Sequence, residues 1–159
     1  MSTAADLSAE IARLEAQEDE LVLARFTQED AWTLGKLIAE RALADGHGIL
    51  VDIRRPSLVL FRSSLPGSKP DHEIWAGRKA AVALRMESSS ALFAARMQAA
   101  GVDPVAIGWL DSDYAVTGGS FPIRVHGVGV VAAVTASGLS SEDDHTLVTD
   151  GVRALIAQQ

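Results

Sequence analysis

The sequence of 159 residues contains no cysteine. This absence excludes disulfide bonds, thiolate metal sites, iron–sulfur clusters and a cysteine nucleophile. It fits a reducing compartment, in which disulfides do not form as structural links. Chemistry at a functional site would therefore depend on other side chains.

Basic residues and long apolar runs are also scarce. Lysine and arginine number 14 against 21 acidic residues, which gives a net charge of -7. No basic stripe is visible, so we expect no nucleic-acid partner. No run approaches the roughly 18 apolar residues of a membrane span. The first twenty residues are acidic and amphipathic, unlike a signal peptide, so we expect a cytoplasmic protein without a membrane partner.

The composition is that of an ordinary globular protein. Hydrophobic residues make up 48% of the chain and charged residues 22%. A chain of this length usually forms one domain, and we expect a single domain over residues 1–159.

Hydrophobic spacing and turn residues predict alternating helices and strands. The first helix carries Leu7, Ile11 and Leu14, and the next ones begin at caps. The expected caps are Thr27 (with Asp30 three residues later), Asp71, Ser89 or Ser90, and Ser141. We expect strands near residues 20–26, 49–54, 58–62, 120–126 and 128–137. Strands joined in hairpins favour an α+β fold with a five-stranded antiparallel sheet flanked by helices.

Glycines mark the start and the middle of the last strand pair. Gly127, Gly129 and Ala132 match a dinucleotide-binding pattern, but a β-prone run follows instead of a helix, which favours a hairpin turn. Pro122 predicts an edge strand or a bulge, because proline cannot donate to the ladder. Gly118 and Gly119 before it permit close approach by another chain or a ligand.

Catalytic and metal patterns are weak. A catalytic triad could be drawn from Ser120, His145 and a nearby acid. The sequence around Ser120 does not predict the strained strand-to-helix turn that exposes a nucleophilic serine, so we do not expect a triad. The histidines are His47, His72, His126 and His145. None of them has the helical spacing of a metal site, and we expect none.

Charged residues near the last helix predict ion pairing. Glu142, Asp143 and Asp144 complement the dipole at its start. A salt bridge from Arg124 or Lys79 to Asp144 is the economical use of these charges. Arg124 lies in an apolar strand, and we expect its guanidinium to pair with one of these acids or with a neighbouring subunit.

The segment "GGSFPIRVHGVGVVAAVTASGL" at 118–139, followed by "SEDDH" at 141–145, resembles the haem-degrading-domain family of GlcG- and HbpS-like proteins. Residues 26–40, 65–82 and the serines at 88–90 are similar to its cytosolic, uncharacterised branch. The resemblance implies a profilin- or PAS-like α+β fold and assembly into dimers and larger rings. It also implies haem as a candidate cofactor, since some secreted relatives bind it.

The resemblance also implies a set of ligand-binding residues. Arginine and lysine side chains would meet carboxylates or form a solvated helix face, and aromatic side chains would meet an apolar plane. The residues are Trp75, Arg78, Lys79, Gly119, Phe121, Pro122, Arg124, Ser137, Gly138, Asp144 and His145.

Three functional hypotheses follow. The first is a homo-oligomeric, dimer-based protein that binds a small anionic or planar ligand, with haem bound weakly and His145 favoured over the exposed His72 as iron ligand. The second is a structural or interaction protein without a ligand. The third is an enzyme on a small metabolite that uses Asp144 and His145.

Overall fold

The computed structural model of the protein describes residues 2–159. Five helices and five strands alternate along the described chain, which confirms the α+β class. Their bounds are α1 Ala4–Glu20, β1 Val22–Leu23, α2 Gln28–Ala44, β2 Leu50–Arg55, β3 Leu58–Ser64, α3 Pro70–Met86, α4 Ser90–Ala100, β4 Ser120–Val125, β5 Gly129–Ser137 and α5 Ser141–Ile156. None of the described helices is long and apolar enough to cross a membrane.

The five strands form one sheet in the order β1-β4-β5-β2-β3. The pairs β4–β5, β5–β2 and β2–β3 are antiparallel, as predicted. In contrast, β1 runs parallel to β4 through Val22 and Leu23, so the sheet is mixed. The strand predicted at 20–26 is this short because α1 extends to Glu20 and Thr27 already caps α2.

Helices cover both faces of the sheet. On one face α2 and α5 pack against the inward side chains of β2, β4 and β5, with Leu34, Ile53 and Val152 fully buried. On the other face Ala80 and Ala83 of α3 pack against Ala133 of β5. Alternate residues of a strand point to opposite faces, so β5 contributes to both layers.

Local signals locate the helix starts to within a residue or two. Thr27 and Asp30 form the capping box of α2, as the sequence indicates. Ser89 caps α4, but Lys69 rather than Asp71 precedes α3, because Pro70 takes the first helical position. Ser140 rather than Ser141 caps α5 and accepts a hydrogen bond from the Asp143 amide at 3.1 Å.

The glycine pattern after β4 forms a hairpin turn and not a nucleotide-binding loop. Gly127 and Gly129 have φ angles of +75° and +106°, which favour glycine. The chain continues directly into β5, and no helix starts within the pattern. The predicted hairpin is therefore confirmed.

Candidate functional site

A pocket of about 290 Å³ lies between α3 and the turn that joins β5 to α5. We call it the Trp75 pocket. It brings together five residues that the sequence predicts for the site, namely Trp75, Lys79, Ser137, Gly138 and Asp144. Its remaining lining residues are Asp71, His72, Thr117, Leu139 and Ser141.

A buried ion pair forms the base of the pocket. Lys79 Nζ donates to Asp144 Oδ2 at 2.8 Å and to the Ala136 carbonyl at 3.3 Å. The side chains of Lys79 and Asp144 are only 6% and 0% exposed. The predicted salt bridge to Asp144 is confirmed with Lys79 as its cation, and the solvated-face interpretation is wrong for Lys79.

The Asp144 carboxylate also closes the β5–α5 turn. Its Oδ1 accepts from the Leu139 amide at 3.1 Å, and its Oδ2 accepts from the Gly138 amide at 3.4 Å. Burying a carboxylate is costly unless it is paired and hydrogen-bonded, and both conditions are met here. Asp144 is therefore a fully engaged structural group.

The glycine pair at 118–119 allows this arrangement to close within one chain. A Cβ atom on Gly119 would lie 2.7 Å from Lys79 Nζ and 2.8 Å from the Ala136 carbonyl oxygen. One on Gly118 would lie 2.7 Å from the Ser141 carbonyl oxygen. Residues 118–122 are all buried, so the predicted opening toward another chain is wrong. The groups that lie close to Gly118 and Gly119 belong to the same chain, namely Lys79 and the start of α5.

Replacing Gly119 with alanine is expected to lower the free energy of unfolding by about 2–3 kcal/mol. The new methyl group would overlap Lys79 Nζ, and the φ angle of +133° disfavours any side chain. Urea unfolding measures the change. Gly127→Ala is the matched control, because its φ is also positive but no atom lies within 4 Å of the new Cβ. Equal losses in the two variants would show that packing over the ion pair contributes nothing.

Polar groups in the wall of the pocket face it with free hydrogen-bonding capacity. Ser137 as a residue is only 2% exposed, and its hydroxyl, which has no hydrogen bond to a described residue, is open to solvent in the pocket. The Nδ1 atom of His72 accepts from the Lys69 amide at 3.2 Å, so in the neutral ring Nε2 carries the proton. The Trp75 indole is 40% exposed and donates to Asp71 Oδ2 at 3.2 Å.

Several predicted site residues lie elsewhere. Phe121 is completely buried in the main core. Pro122 is buried in a part of β4 that β1 does not pair with, next to a register shift between Ile123 and Arg124. Arg78 is half-buried on α3 but does not line the pocket, and its carbonyl accepts from the Ala115 amide.

Arg124 does not pair with an acid of the α5 start. Its Nη2 donates to the Glu87 carbonyl at 2.6 Å, so the predicted intrachain ion pair with residues 142–144 is wrong. Glu87 ends α3 with a φ of +51°, an unfavourable conformation for a residue with a side chain. The arginine therefore supports the left-handed end of α3.

His145 lies in an adjoining pocket of about 550 Å³, which shares Thr117 and Ser141 with the Trp75 pocket and is lined also by Glu10 and Arg13. Its Nε2 is 2.6 Å from Gln17 Oε1, whereas Nδ1 is buried without a partner among the described residues. Burial and, to a smaller extent, the nearby Arg13 together lower the pKa of His145 to about 4. The ring is therefore neutral near pH 7.

No catalytic constellation forms around these residues. Asp144 and His145 have different partners on different sides of α5. The Ser120 hydroxyl accepts from Thr135 Oγ1 at 2.9 Å, so the structure also gives no support for a triad. Among the described residues, no group of three or more acidic or histidine side chains could hold a metal ion.

Asp71 and His72 were not predicted as site residues, although a signal was present. Asp71, Trp75 and Lys79 are spaced by four residues and therefore share one face of α3. Thr117 gave no such signal, because it lies in the irregular segment before β4 and only the tertiary structure brings it to the pocket.

The comparison with known families agrees with this architecture. The sequence profile described as "Haem degrading protein HbpS-like" matches residues 26–153. The chain belongs to the HbpS-like family. It is 45% identical over 149 residues to the UPF0303 protein SCO2848 of Streptomyces coelicolor, covering 93% of this chain and 94% of that protein.

Solved structures confirm the HbpS-like fold. The Ybr137w protein superposes with a TM-score of 0.84 and 29% identity, over 93% of this chain and 88% of its own. The PduOC–haem complex superposes with a TM-score of 0.69 and 18% identity, over 81% of this chain and 94% of its own. At that identity the second likeness concerns the fold alone.

Proposed function

We propose that this HbpS-like protein is a cytoplasmic homo-oligomer that binds a small planar or anionic molecule in the Trp75 pocket. The observation that carries the proposal is the pocket itself. A partly exposed indole stands beside the solvent-accessible hydroxyl of Ser137 and the buried Lys79. Most of the lining side chains are polar or charged, so convergent polar groups beside one aromatic wall, rather than a mainly apolar lining, would orient a ligand.

Haem is the candidate that the relatives provide, through the family's description and the haem complex of PduOC. The Trp75 pocket of one chain fits it poorly. Its volume of about 290 Å³ lies just below the range, roughly 300–1,000 Å³, of drug-sized ligand sites. Only one edge of a four-ring macrocycle would enter it.

The histidines near the two pockets also fit an iron ligand poorly. Iron binding through Nε2 of His72 would require a proton on Nδ1, and that proton would remove the bond from the Lys69 amide. Nε2 of His145 already faces Gln17 in the other pocket, and its unpartnered Nδ1 is buried out of reach of a ligand in that pocket. The sequence-based preference for His145 as iron ligand therefore has no support from its surroundings.

We therefore expect haem to bind weakly, with a dissociation constant on the order of micromolar, and without turnover. Titration followed by Soret absorbance measures this in the wild type, Trp75→Ala, His72→Ala and His145→Ala. The Trp75 variant should lose most of the band, and the His145 variant should retain it. A tight band with conversion to biliverdin on addition of a reductant would contradict the proposal and identify an enzyme.

A structural role without a ligand is the second candidate, and one observation favours it. Lys79 and Asp144 satisfy each other and hold the β5–α5 turn, so the base of the pocket is stable when empty. An enzyme that uses Asp144 with His145 is less well supported, because the two side chains line different pockets and bond to different partners.

The homo-oligomer is proposed from the free edge of the sheet. β3 is the last strand in the sheet order and has no strand on its outer side. Leu58 and Val59 on it are 48% and 44% exposed. Apolar edge strands of this kind readily pair with another chain. This surface replaces residues 118–122 as the expected subunit contact.

Native mass spectrometry of the purified protein tests the assembly and the ligand together. We expect a dimer or a multiple of it, with a small molecule retained by the wild type and lost from Trp75→Ala at an unchanged subunit number. A monomer of 16.8 kDa at micromolar concentration would contradict the oligomer. The same retained mass in both proteins would contradict binding at Trp75.

A further inference from the structure

The base and the rim of the Trp75 pocket differ in charge. At the base, Lys79 and Asp144 lie 2.8 Å apart and together carry no net charge. At the rim, the Oδ2 atom of the exposed Asp71 accepts from the Trp75 indole at 3.2 Å, and its Oδ1 accepts no hydrogen bond from a described residue. The lining contains two aspartates and one lysine, so its charged side chains sum to -1 when the histidine is neutral. The negative charge of the pocket therefore lies at Asp71.

The position of Asp71 on α3 separates this charge from the buried lysine. Asp71, Trp75 and Lys79 follow one another at intervals of four residues on one face of the helix. A rise of 1.5 Å per residue puts the Cα atoms of Asp71 and Lys79 about 12 Å apart, with Trp75 between them. The positive end of the helix dipole, roughly half a charge, reduces the charge of Asp71 without cancelling it. A charged group that enters over Trp75 therefore meets a carboxylate before it meets the ammonium.

Ser137 distinguishes this pocket from an acidic patch of the surface. The residue is only 2% exposed, yet its hydroxyl has no hydrogen bond to a described residue and opens into the pocket. Polar side chains that are this deeply buried normally have a partner, so a ligand is the natural partner here. A hydroxyl both donates and accepts, so Ser137 fits a polar ligand of either charge. The choice of charge is left to Asp71.

The Trp75 indole acts in the same direction as Asp71. It is 40% exposed, and the face of an indole carries negative charge density that attracts cations within about 6 Å of its centre. A planar cation can stack on such a ring and donate hydrogen bonds from its edge. The volume of about 290 Å³ admits a single-ring molecule. The net charge of -7 also attracts cations and repels anions at long range.

The geometry points to a small planar cation of the amidinium or guanidinium class as the ligand of the Trp75 pocket. Its plane lies against the indole, its N–H groups donate to Asp71 Oδ1, and its remaining polar groups face Ser137. This inference rests on the proposed function, selects its planar alternative and adds the charge of the ligand. The propionates of haem are repelled by the same charge, in agreement with the weak binding expected for haem.

Benzamidinium, benzamide and benzoate test the inference, because they share size and planarity but differ in charge. The readout is the NMR signal of the Trp75 indole N–H, assigned with Trp75→Phe. The indole signals of Trp32 and Trp109, which do not line the pocket, are internal references. Benzamidinium is expected to shift the Trp75 signal saturably and to bind at least about fivefold more tightly than benzamide, through the indole face and the charged hydrogen bond. Benzoate is expected to bind most weakly.

Asp71→Asn removes the charge of the rim with little change of shape. It is expected to weaken benzamidinium about fivefold and to leave benzamide unchanged, because the amide oxygen can still accept from the indole. Glu73→Gln is the matched control, since it removes the same charge from the same turn of α3. The Glu73 carboxylate bonds to Arg62 and does not line the pocket, so benzamidinium binding should change by less than about twofold. Unfolding curves show whether each variant is folded before it is titrated.

The outcomes separate the charge of the ligand from the existence of the site. Benzamide or benzoate binding as tightly as benzamidinium would overturn the cation class and leave the ligand pocket standing. Equal weakening of benzamidinium in the Asp71 and Glu73 variants would also overturn it, because only the overall charge would then matter. If none of the three compounds shifts the Trp75 signal, the inference fails. If native mass spectrometry then also finds no retained molecule, the proposed function fails with it.

Discussion

Replacing Lys79 with methionine is expected to lower the free energy of unfolding by about 3–5 kcal/mol, the usual cost of removing one partner from a buried ion pair. Asp144 is completely buried and would retain only the amides of Leu139 and Gly138. An uncompensated carboxylate in that position is strongly disfavoured. Urea unfolding of both proteins at pH 7 measures the difference.

The matched control is Arg78→Met, one position earlier on α3. Arg78 is half-buried and forms no salt bridge among the described residues, so its loss should cost less than about 1 kcal/mol. Similar losses in the two variants would contradict the special role of Lys79. The double variant Lys79→Met/Asp144→Asn should recover part of the stability, because an amide oxygen can still accept from the Leu139 amide without carrying a charge.

The second large effect is a loss of stability in mild acid that depends on His145. Its pKa is about 4 in the folded protein, against an ordinary value of 6.5. The unfolded chain therefore binds this proton at a higher pH than the folded chain does. Stability is unaffected by His145 above pH 6.5 and falls progressively as the pH drops from 6.5 to 4. The total loss is about 3 kcal/mol.

Unfolding free energies of the wild type and His145→Gln between pH 7.5 and pH 4.5 test this expectation. The wild type should lose stability across this range, and the variant should show a flatter profile. Arg13, which disfavours the charged imidazole, and Glu10, which favours it, are the ionisable neighbours. The pKa of Glu10 is lowered from 4.5 by its hydrogen bond with Arg13, so its own contribution is lost mainly below the tested range. Parallel profiles for wild type and variant would show that the folded imidazole is readily protonated.

Features that depend on a few neighbouring residues could be predicted from the sequence. Thr27 and Asp30 form their capping box within one helical turn. The turn at Gly127 needs only the left-handed conformation that glycine adopts easily. The Lys79–Asp144 pair could be anticipated as one of two options, because a buried acid requires a cation and few were available.

Features that depend on contacts between distant segments of the chain could not be predicted from the sequence. Asp144 and His145 are neighbours in sequence, but successive helical residues point about 100° apart, so α5 directs them into different surroundings. The sequence favoured Asp144 and His145 as an acid–base pair. In the structure Asp144 accepts from Lys79, and His145 contacts Gln17. Arg124 reaches Glu87 only because the end of α3 lies beside β4.

The sequence by itself determined the class of the fold and most of the element order, because these follow from local periodicity, caps and turn residues, and its resemblance to known proteins indicated the family. The tertiary structure alone decided that β1 runs parallel to β4, that residues 118–122 are buried and that Trp75, Ser137 and Thr117 share one pocket. Each of these depends on where α1, α3 and α5 pack against the sheet. Such packing is set by contacts between residues far apart in the chain, which local sequence patterns do not record.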